Sequence, residues 1–399
     1  MTETALLDAM RTALHDARPQ RLGVAVSGGG DSMAALDLAH RVVGNVQAVT
    51  VDHGLRPEAA AEAAGVGAFC AERGIAHQTL RWGWDWVGNV SARARDARFS
   101  MIGEWAVRQG VDSVILGHTQ DDLAETFLMR LSRGSGVDGL SAMDAQFRRD
   151  GVTWLRPLLG ISRESCRDYL RAQGIGWVDD PTNEDATYLR ARTRAALSDL
   201  GINATTLADT AHRLAEVRQA LNWQLRAFVR ENVRQDRGDL LISGYRDLPT
   251  EITRRLFSYA LRWVGGGHYT PRHDHILRAT EATSKRTLSG CVLLPEQDGL
   301  RIARELQRVH ETAVSATEIW DGRWHLSGPD AAHLTIRALG DAITQTPWRE
   351  TGLPLVSLIA SPAIWDGDSL IAAPIAGLPN GWTATADARG NFADFCGSD

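Results

Sequence analysis

Lysine is almost absent. Lys285 is the only one in 399 residues, so nearly all of the 43 basic side chains are arginines. A Walker A phosphate loop carries a lysine after its glycines, and none stands anywhere in the N-terminal half, which excludes that loop and any Schiff-base lysine there. Cysteine is scarce as well. Cys70, Cys166, Cys291 and Cys396 lie far apart and form no Cys-x-x-Cys pair, so a zinc ribbon or a cysteine-held cluster has little support and buried thiols are expected. No apolar run reaches the roughly 18 residues of a membrane span, and the N-terminus has no signal-peptide pattern, so a cytoplasmic protein with no membrane partner is expected. There is no internal repeat and no long low-complexity stretch. Nor is there an overall positive charge: the formal value is −6. That total does not advertise a nucleic-acid partner, but it is a poor veto, because a local patch is what meets phosphates.

The length points to two or three domains. Residues 1–200 alternate short apolar runs with amphipathic stretches. Strands are predicted at Leu22–Val26, Val46–Val51, Ile75–Leu80 and Ser113–Leu116, with helices at Met33–Val43, Glu58–Arg73 and Ala92–Gln109. This pattern implies an α/β domain with a parallel sheet covered on both faces. Ligands bind such sheets beyond the carboxyl ends of the strands, at the switch point. Ser27–Ser32, Asp52-His53-Gly54 and Gly117-His118 follow three of the strands and should face one crevice. Residues 203–233 read as helical. Two paired strands, Thr287–Leu294 and Gly299–Arg304, are expected later, and residues from about 314 onward read as a small β-rich part. The resulting division is a catalytic domain at 1–200, a helical or mixed accessory domain at 201–310 and a small C-terminal domain at 311–399.

Ser27-Gly28-Gly29-Gly30-Asp31-Ser32 lies between the first strand and the following helix. Strand, glycine-rich turn and helix in that order aim backbone N–H groups and a helix N-terminus at one spot, which suits pyrophosphate. The motif Ser-Gly-Gly-x-Asp-Ser resembles the PP-loop of ATP pyrophosphatases. A second constellation, Gly117-His118-Thr119-Gln120-Asp121-Asp122-Leu123-Ala124-Glu125, opens a helix after the fourth strand. Asp121 and Glu125 are four apart and share a helix face. Asp122 points elsewhere and could cap the helix or pair with an arginine. Two acids on one face beside a phosphate loop could bind magnesium, hold a substrate amine or act as a base; the alternative is a solvated acidic first turn that favours the helix dipole.

Taken in order, five stretches resemble the tRNA(Ile)-lysidine synthetase family: Ser27–Ser32; Val51-Asp52-His53-Gly54-Leu55-Arg56; Ala94-Arg95 with Arg98-Phe99; Gly117–Thr126 continuing through Arg130 and Gly134-Ser135-Gly136 to Gly139-Leu140; and Arg156-Pro157-Leu158-Leu159 followed by Asp180-Pro181-Thr182-Asn183, Tyr188 and Arg190. Weaker likeness continues through Thr287–Cys291, Arg304-Glu305, Leu353-Pro354, Trp365–Asp368 and Ala372-Ala373-Pro374. Two departures stand out. Thr119 replaces the family's Asn after His118, and Ala191 and Thr193 replace its Asn and Ile between Arg190 and Arg194.

The resemblance implies a PP-loop, adenine nucleotide α-hydrolase-like fold followed by a mainly helical accessory domain and a small β-rich C-terminal domain. It also implies a reaction: free L-lysine is ligated to C2 of the wobble cytidine of tRNA(Ile) with a CAU anticodon, through an adenylated cytidine, with release of AMP and pyrophosphate. ATP is then a substrate and Mg2+ a cofactor. Ser27, Gly28, Gly29, Gly30 and Ser32 would hold the β,γ-phosphates. Asp31 would be the magnesium ligand, or a helix cap. Asp121 and Glu125 would take the lysine ammonium, His118 would move a proton or touch phosphate, and Arg194, with Arg190, would bind the adenylate or a tRNA phosphate. Arg95 and Arg98 would supply phosphate contacts. The oligomeric state stays open, a homodimer included. Two rivals are another PP-loop enzyme, such as a tRNA 2-thiolase, and a tRNA-binding protein that has lost catalysis.

Overall fold

The computed structural model describes residues 2–52, 54, 58–81, 90–179, 189–267, 271–281, 283–329 and 333–397. The chain divides into two compact units, residues 1–218 and 219–398. The first contains α1 (Glu3–Ala17), β1 (Leu22–Ala25), α2 (Gly30–Val43), β2 (Val46–Asp52), α3 (Glu58–Glu72), β3 (Ala76–Arg81), α4 (Val90–Gln109), β4 (Ser113–Leu116), α5 (Gln120–Leu131), α6 (Val137–Leu140), β5 (Gln146–Arg149), β6 (Val152–Leu155), α7 (Arg163–Ala172) and α8 (Leu189–Asp199). Its six-stranded sheet has the order β3-β2-β1-β4-β6-β5. The first five strands are parallel and β5 is an antiparallel edge. Chain order reverses beside β1, between β2 on one side and β4 on the other, so the switch point lies at the carboxyl ends of β1 and β4.

Burial explains the choice of residues. All four residues of β4 are buried, as expected of a central strand covered on both faces. One face is packed by Leu6, Met10 and Leu14 of α1, Met33 to Ala39 of α2, Val66 and Cys70 of α3, and Cys166, Tyr169 and Leu170 of α7. Phe99, Ile102, Trp105 and Ala106 of α4 form a separate core with Val114, Val152 and Trp154 of the sheet. The α1 helix is absent from the sequence expectations, although its buried residues recur every four positions and Thr2 caps it. The β5–β6 hairpin is absent too. Its turn is Asp150-Gly151, with φ of +53° and +79°, the left-handed pair that a two-residue hairpin requires.

The second unit has a five-stranded antiparallel sheet of β7 (Val233–Asp236), β8 (Asp239–Ser243), β9 (Arg286–Leu288), β10 (Cys291–Glu296) and β11 (Gly299–Arg304), in the order β7-β8-β11-β10-β9. It packs with Leu225 and Val229 of α9 (Ala204–Asn232), with α10 (Thr250–Gly265) and with α11 (His273–Thr280). The single strand expected at Thr287–Leu294 is two strands, because Ser289 and Gly290 take φ of +51° and +74° and turn the chain back. Further on, Val314–Ser315, Thr335–Ala338, Pro362–Asp366 and Ser369–Ala372 make a four-stranded sheet. It has its own core around Trp320, Trp324, Ile336, Ile364 and Trp382. All four cysteines are buried and free, and burial pushes the Cys291 and Cys396 thiols up to about 12. Among the described residues no helix is long and apolar enough to cross a membrane.

Candidate active site

The glycine loop leaves β1 at the switch point and turns through Gly28, whose φ of +85° lies in the left-handed region that glycine adopts without strain. Gly29 is the N-cap of α2, and Gly30 and Asp31 begin the helix. The first-turn N–H groups of a helix have no intrahelical acceptor and present positive charge to an anion. Ser32 braces the loop from inside: its hydroxyl accepts from Ser27 N at 3.1 Å and donates to Gly29 O at 2.9 Å. The hydroxyls of Ser27 and Ser32 are 3.2 Å apart, and only Ser27 is exposed. Val178 N donates to Gly28 O at 2.9 Å, laying the chain after α7 across the loop.

Gly117, at the end of β4, backs this loop directly. A Cβ there would stand 2.7 Å from Ser32 Cα and 2.8 Å from Asp31 O, both backbone atoms that cannot swing aside. Gly117→Ala is therefore expected to displace the loop at an overpacking cost of ~1–3 kcal/mol. Calorimetric titration with ATP should show affinity reduced roughly 10- to 100-fold; unchanged affinity would mean that the loop tolerates the displacement.

Four acids gather beyond the loop. Asp31 comes from α2, and Asp121, Asp122 and Glu125 come from α5. Asp122 Oδ2 accepts from the backbone N–H and the hydroxyl of Thr119 at 2.9 and 3.1 Å, capping α5. Thr119, a departure from the family pattern, is fully buried in this role. Asp122 also pairs with Arg163, so it does both things expected of it, and it lines the cavity besides. Glu125 is 1% exposed. Its carboxylate accepts from Arg194 Nε and from Arg163 Nη1 at 3.3 Å, and Arg190 Nε lies 3.9 Å away. Asp121 Oδ2 accepts the backbone N–H of Arg163, at the start of α7, at 2.7 Å. Asp121 and Glu125 thus share one face of α5, but the arginines of α7 and α8 cover Glu125.

Burial pushes the Asp31 carboxyl up to about 6; Arg163 opposes this, and Asp122 and Asp121 add to it. Burial would raise Asp122 too, but Arg163, His118 and the Thr119 N–H hold it below the usual carboxylate range. Asp31 Oδ2 accepts from Arg163 Nε at 3.1 Å, while Oδ1 is buried without a hydrogen-bond partner. An orphaned carboxylate oxygen at the mouth of a phosphate loop fits a hard divalent cation. Among the described residues no cluster of three or more His, Cys, Asp or Glu could hold a metal alone. Mg2+ is typically held by one or two carboxylates together with substrate phosphates.

His118 Nδ1 accepts from Arg156 Nε at 3.2 Å, so a neutral His118 carries its proton on Nε2. The loop, Asp31, His118, Asp122, Arg98, Arg163, Arg167, Arg190 and Arg194 line one cavity of about 720 Å³, together with Val49 and Val51 of β2. A hollow of about 920 Å³ in the second unit mixes Arg230 and Arg234 with Glu231, Glu296 and Asp298. Of the other expected residues, His53, Leu55, Arg56, Asp180–Asn183 and Tyr188 lie outside the described residues, as does the side chain of Arg95. Ala191 and Thr193 are buried in α8, and the Thr193 hydroxyl donates to Leu189 O at 2.8 Å. Thr193 is thus a packing position, whereas Ala191 also lines the cavity. Sequence reasoning missed Arg163 and Arg167. The cap Ser162, whose hydroxyl accepts from Ser165 N, marks the start of their helix locally, but nothing local marks its destination.

The PP-loop domain family matches residues 3–200. The tRNA(Ile)-lysidine synthase of Ruegeria pomeroyi is 46% identical over 394 residues, covering 95% of this chain and 94% of its own. That of Mesorhizobium japonicum is 35% identical, covering 90% and 84%. Among solved structures, the tRNA thiolase NcsA of Methanococcus maripaludis aligns at 16% identity with a TM-score of 0.47, over 54% of this chain and 78% of its own. Both relatives are matched over nine-tenths or more of this chain, and the chain belongs to the tRNA(Ile)-lysidine synthase family.

Proposed function

We infer that the protein ligates free L-lysine to C2 of the wobble cytidine of tRNA(Ile) bearing a CAU anticodon, converting decoding from AUG to AUA. The observation that carries this reading is the convergence of the glycine loop with Asp31, Asp122, Arg163, Arg190 and Arg194 on one cavity, behind which Asp121 and Glu125 are held by the same arginines, in a chain that matches a lysidine synthase over 95% of its length. A ring carbonyl oxygen is a poor leaving group. ATP remedies this: O2 of the base attacks the α-phosphorus, pyrophosphate leaves, and O2 becomes a bridging oxygen. The lysine amine then attacks C2 and AMP departs with that oxygen.

Each residue has a part. The N–H groups of Gly28, Gly29 and Gly30 and the Ser27 hydroxyl hold the β,γ-phosphates and stabilise the departing pyrophosphate, with Ser32 fixing their geometry. Asp31 Oδ1 would hold Mg2+, which when bound neutralises charge on the phosphates. Free lysine arrives with a side-chain pKa near ~10.4, so its ammonium must be bound and then lose a proton. Asp121 and Glu125 do this, with the ammonium taking over the contact that Arg194 now makes with Glu125. His118, oriented by Arg156, transfers a proton or meets phosphate. Arg98, Arg190 and Arg194 meet the adenylate or tRNA phosphates. The target base leaves its stack to enter the cavity, while residues 201–310 and 311–399 read the shape of the tRNA in the cytoplasm.

A non-catalytic tRNA binder would share the fold. Exchange of labelled pyrophosphate into ATP separates the two readings. It is expected only when tRNA(Ile) with a CAU anticodon is present, and it needs no lysine. Its absence from protein that binds both ATP and tRNA would sink the ligase reading.

A further inference from the structure

We propose that Arg163 is the positioning residue that ties the nucleotide half of the site to its amine half. Each nitrogen of its guanidinium meets a different carboxylate. Nε donates to Asp31 Oδ2 at 3.1 Å, Nη1 to Glu125 Oε1 at 3.3 Å and Nη2 to Asp122 Oδ1 at 3.4 Å. Its backbone N–H donates to the fourth acid, Asp121, at 2.7 Å. One residue at the N-terminus of α7 thus touches every acid of the cluster, on two helices that reach the cavity from different strands. Burial would lower its pKa, but Asp122, Asp31, Glu125 and Asp121 together raise it, so the charge is permanent.

A planar, always-charged fork can hold three carboxylates at fixed angles, and a lysine ammonium, a point charge on a flexible stem, cannot. The inferred reaction gives that geometry a purpose, and the proposal rests on that reading. Both steps work on the same C2–O2 unit of one base: first O2 attacks phosphorus, then the amine attacks C2. Asp31 on the phosphate side and the α5 acids on the amine side must therefore keep one spacing through both steps. A misplacement of about 1 Å can cost ~10²-fold in rate.

The test compares wild type, Arg163→Lys and Arg163→Met in two assays. One is tRNA-dependent ATP–pyrophosphate exchange without lysine. The other is lysine transfer, resolved into kcat and the KM for lysine. In both variants kcat is expected to fall at least ~10-fold in each assay, with melting curves showing folded protein. Retention of Arg194 on Glu125 and of the Thr119 cap on Asp122 supports folding. If Arg163→Met does not fold, Arg163→Lys, which keeps the charge, carries the test. A folded variant with either assay at the wild-type kcat overturns the proposal, because Arg163 would then serve one half of the site or only the fold. Wild-type protein that transfers no lysine would overturn the reading of the reaction, and this proposal with it.

Discussion

Replacing Asp31 by asparagine is expected to lower lysidine formation about 10²–10³-fold, the usual loss when one preorganised charge-stabilising group is removed, without unfolding the protein. Asparagine matches the shape of aspartate and can still accept from Arg163 Nε, so the loop and α2 keep their places. It cannot supply the negative oxygen that Asp31 Oδ1 presents, buried and unpartnered, at the phosphate loop. Stability should move the other way. The folded carboxyl is pushed up to about 6 from an ordinary 3.8, so its ionised form costs the native state stability. Below the unfolded value both states are protonated and the cost vanishes. It builds as pH rises through this window and is complete above it. At pH 7–8 the asparagine variant should therefore melt at the wild-type temperature or higher. Near-normal turnover, or a clear drop in melting temperature with the lost activity, would contradict this role for Asp31.

Glu125→Gln is expected to damage both stability and catalysis. Glu125 is 1% exposed and takes its charge partners from Arg163, Arg190 and Arg194. Removing one partner of a buried ion pair typically costs ~3–5 kcal/mol. The three arginine side chains keep exposures of 20%, 42% and 31%, so water can take up part of their charge. The low end, about 3 kcal/mol, is thus the expectation, seen as a fall of roughly 6–12 °C in the melting of the first unit. Lysine transfer per folded molecule should fall about 10²–10⁴-fold if the carboxylate binds the ammonium and accepts its proton. A variant that melts earlier but transfers lysine normally would make Glu125 a purely structural counter-ion.

The parts of the site that could be read from sequence are the ones built from consecutive residues. β1, the glycine loop and α2 are local: an apolar run, glycines and an amphipathic stretch determine them, and the strand predicted at Ser113–Leu116 has the observed bounds. The spacing of Asp121 and Glu125 fixed their common helix face in the same way. What could not be read is how distant elements converge. Arg163 lies 132 positions from Asp31, and only the packing of α7 against α2 brings them together. The cover that Arg190 and Arg194 place over Glu125 likewise depends on α8 docking on α5. Other omissions had local signals. The spacing of Leu6, Met10 and Leu14 marks α1, and Asp150-Gly151 marks the β5–β6 turn. Ser289-Gly290 breaks the apolar run from Thr287 to Leu294 into two strands.

The most direct measurement is incorporation of labelled lysine into a transcript of tRNA(Ile) with a CAU anticodon, in the presence of ATP and magnesium. Elongator methionine tRNA, which carries the same anticodon, is the control. Label in the isoleucine transcript alone, dependent on ATP and matched by equal AMP, is the expected result. No label from folded protein that binds ATP and the transcript would contradict lysidine synthesis. Equal label in both tRNAs would contradict selection of tRNA(Ile) by the downstream unit.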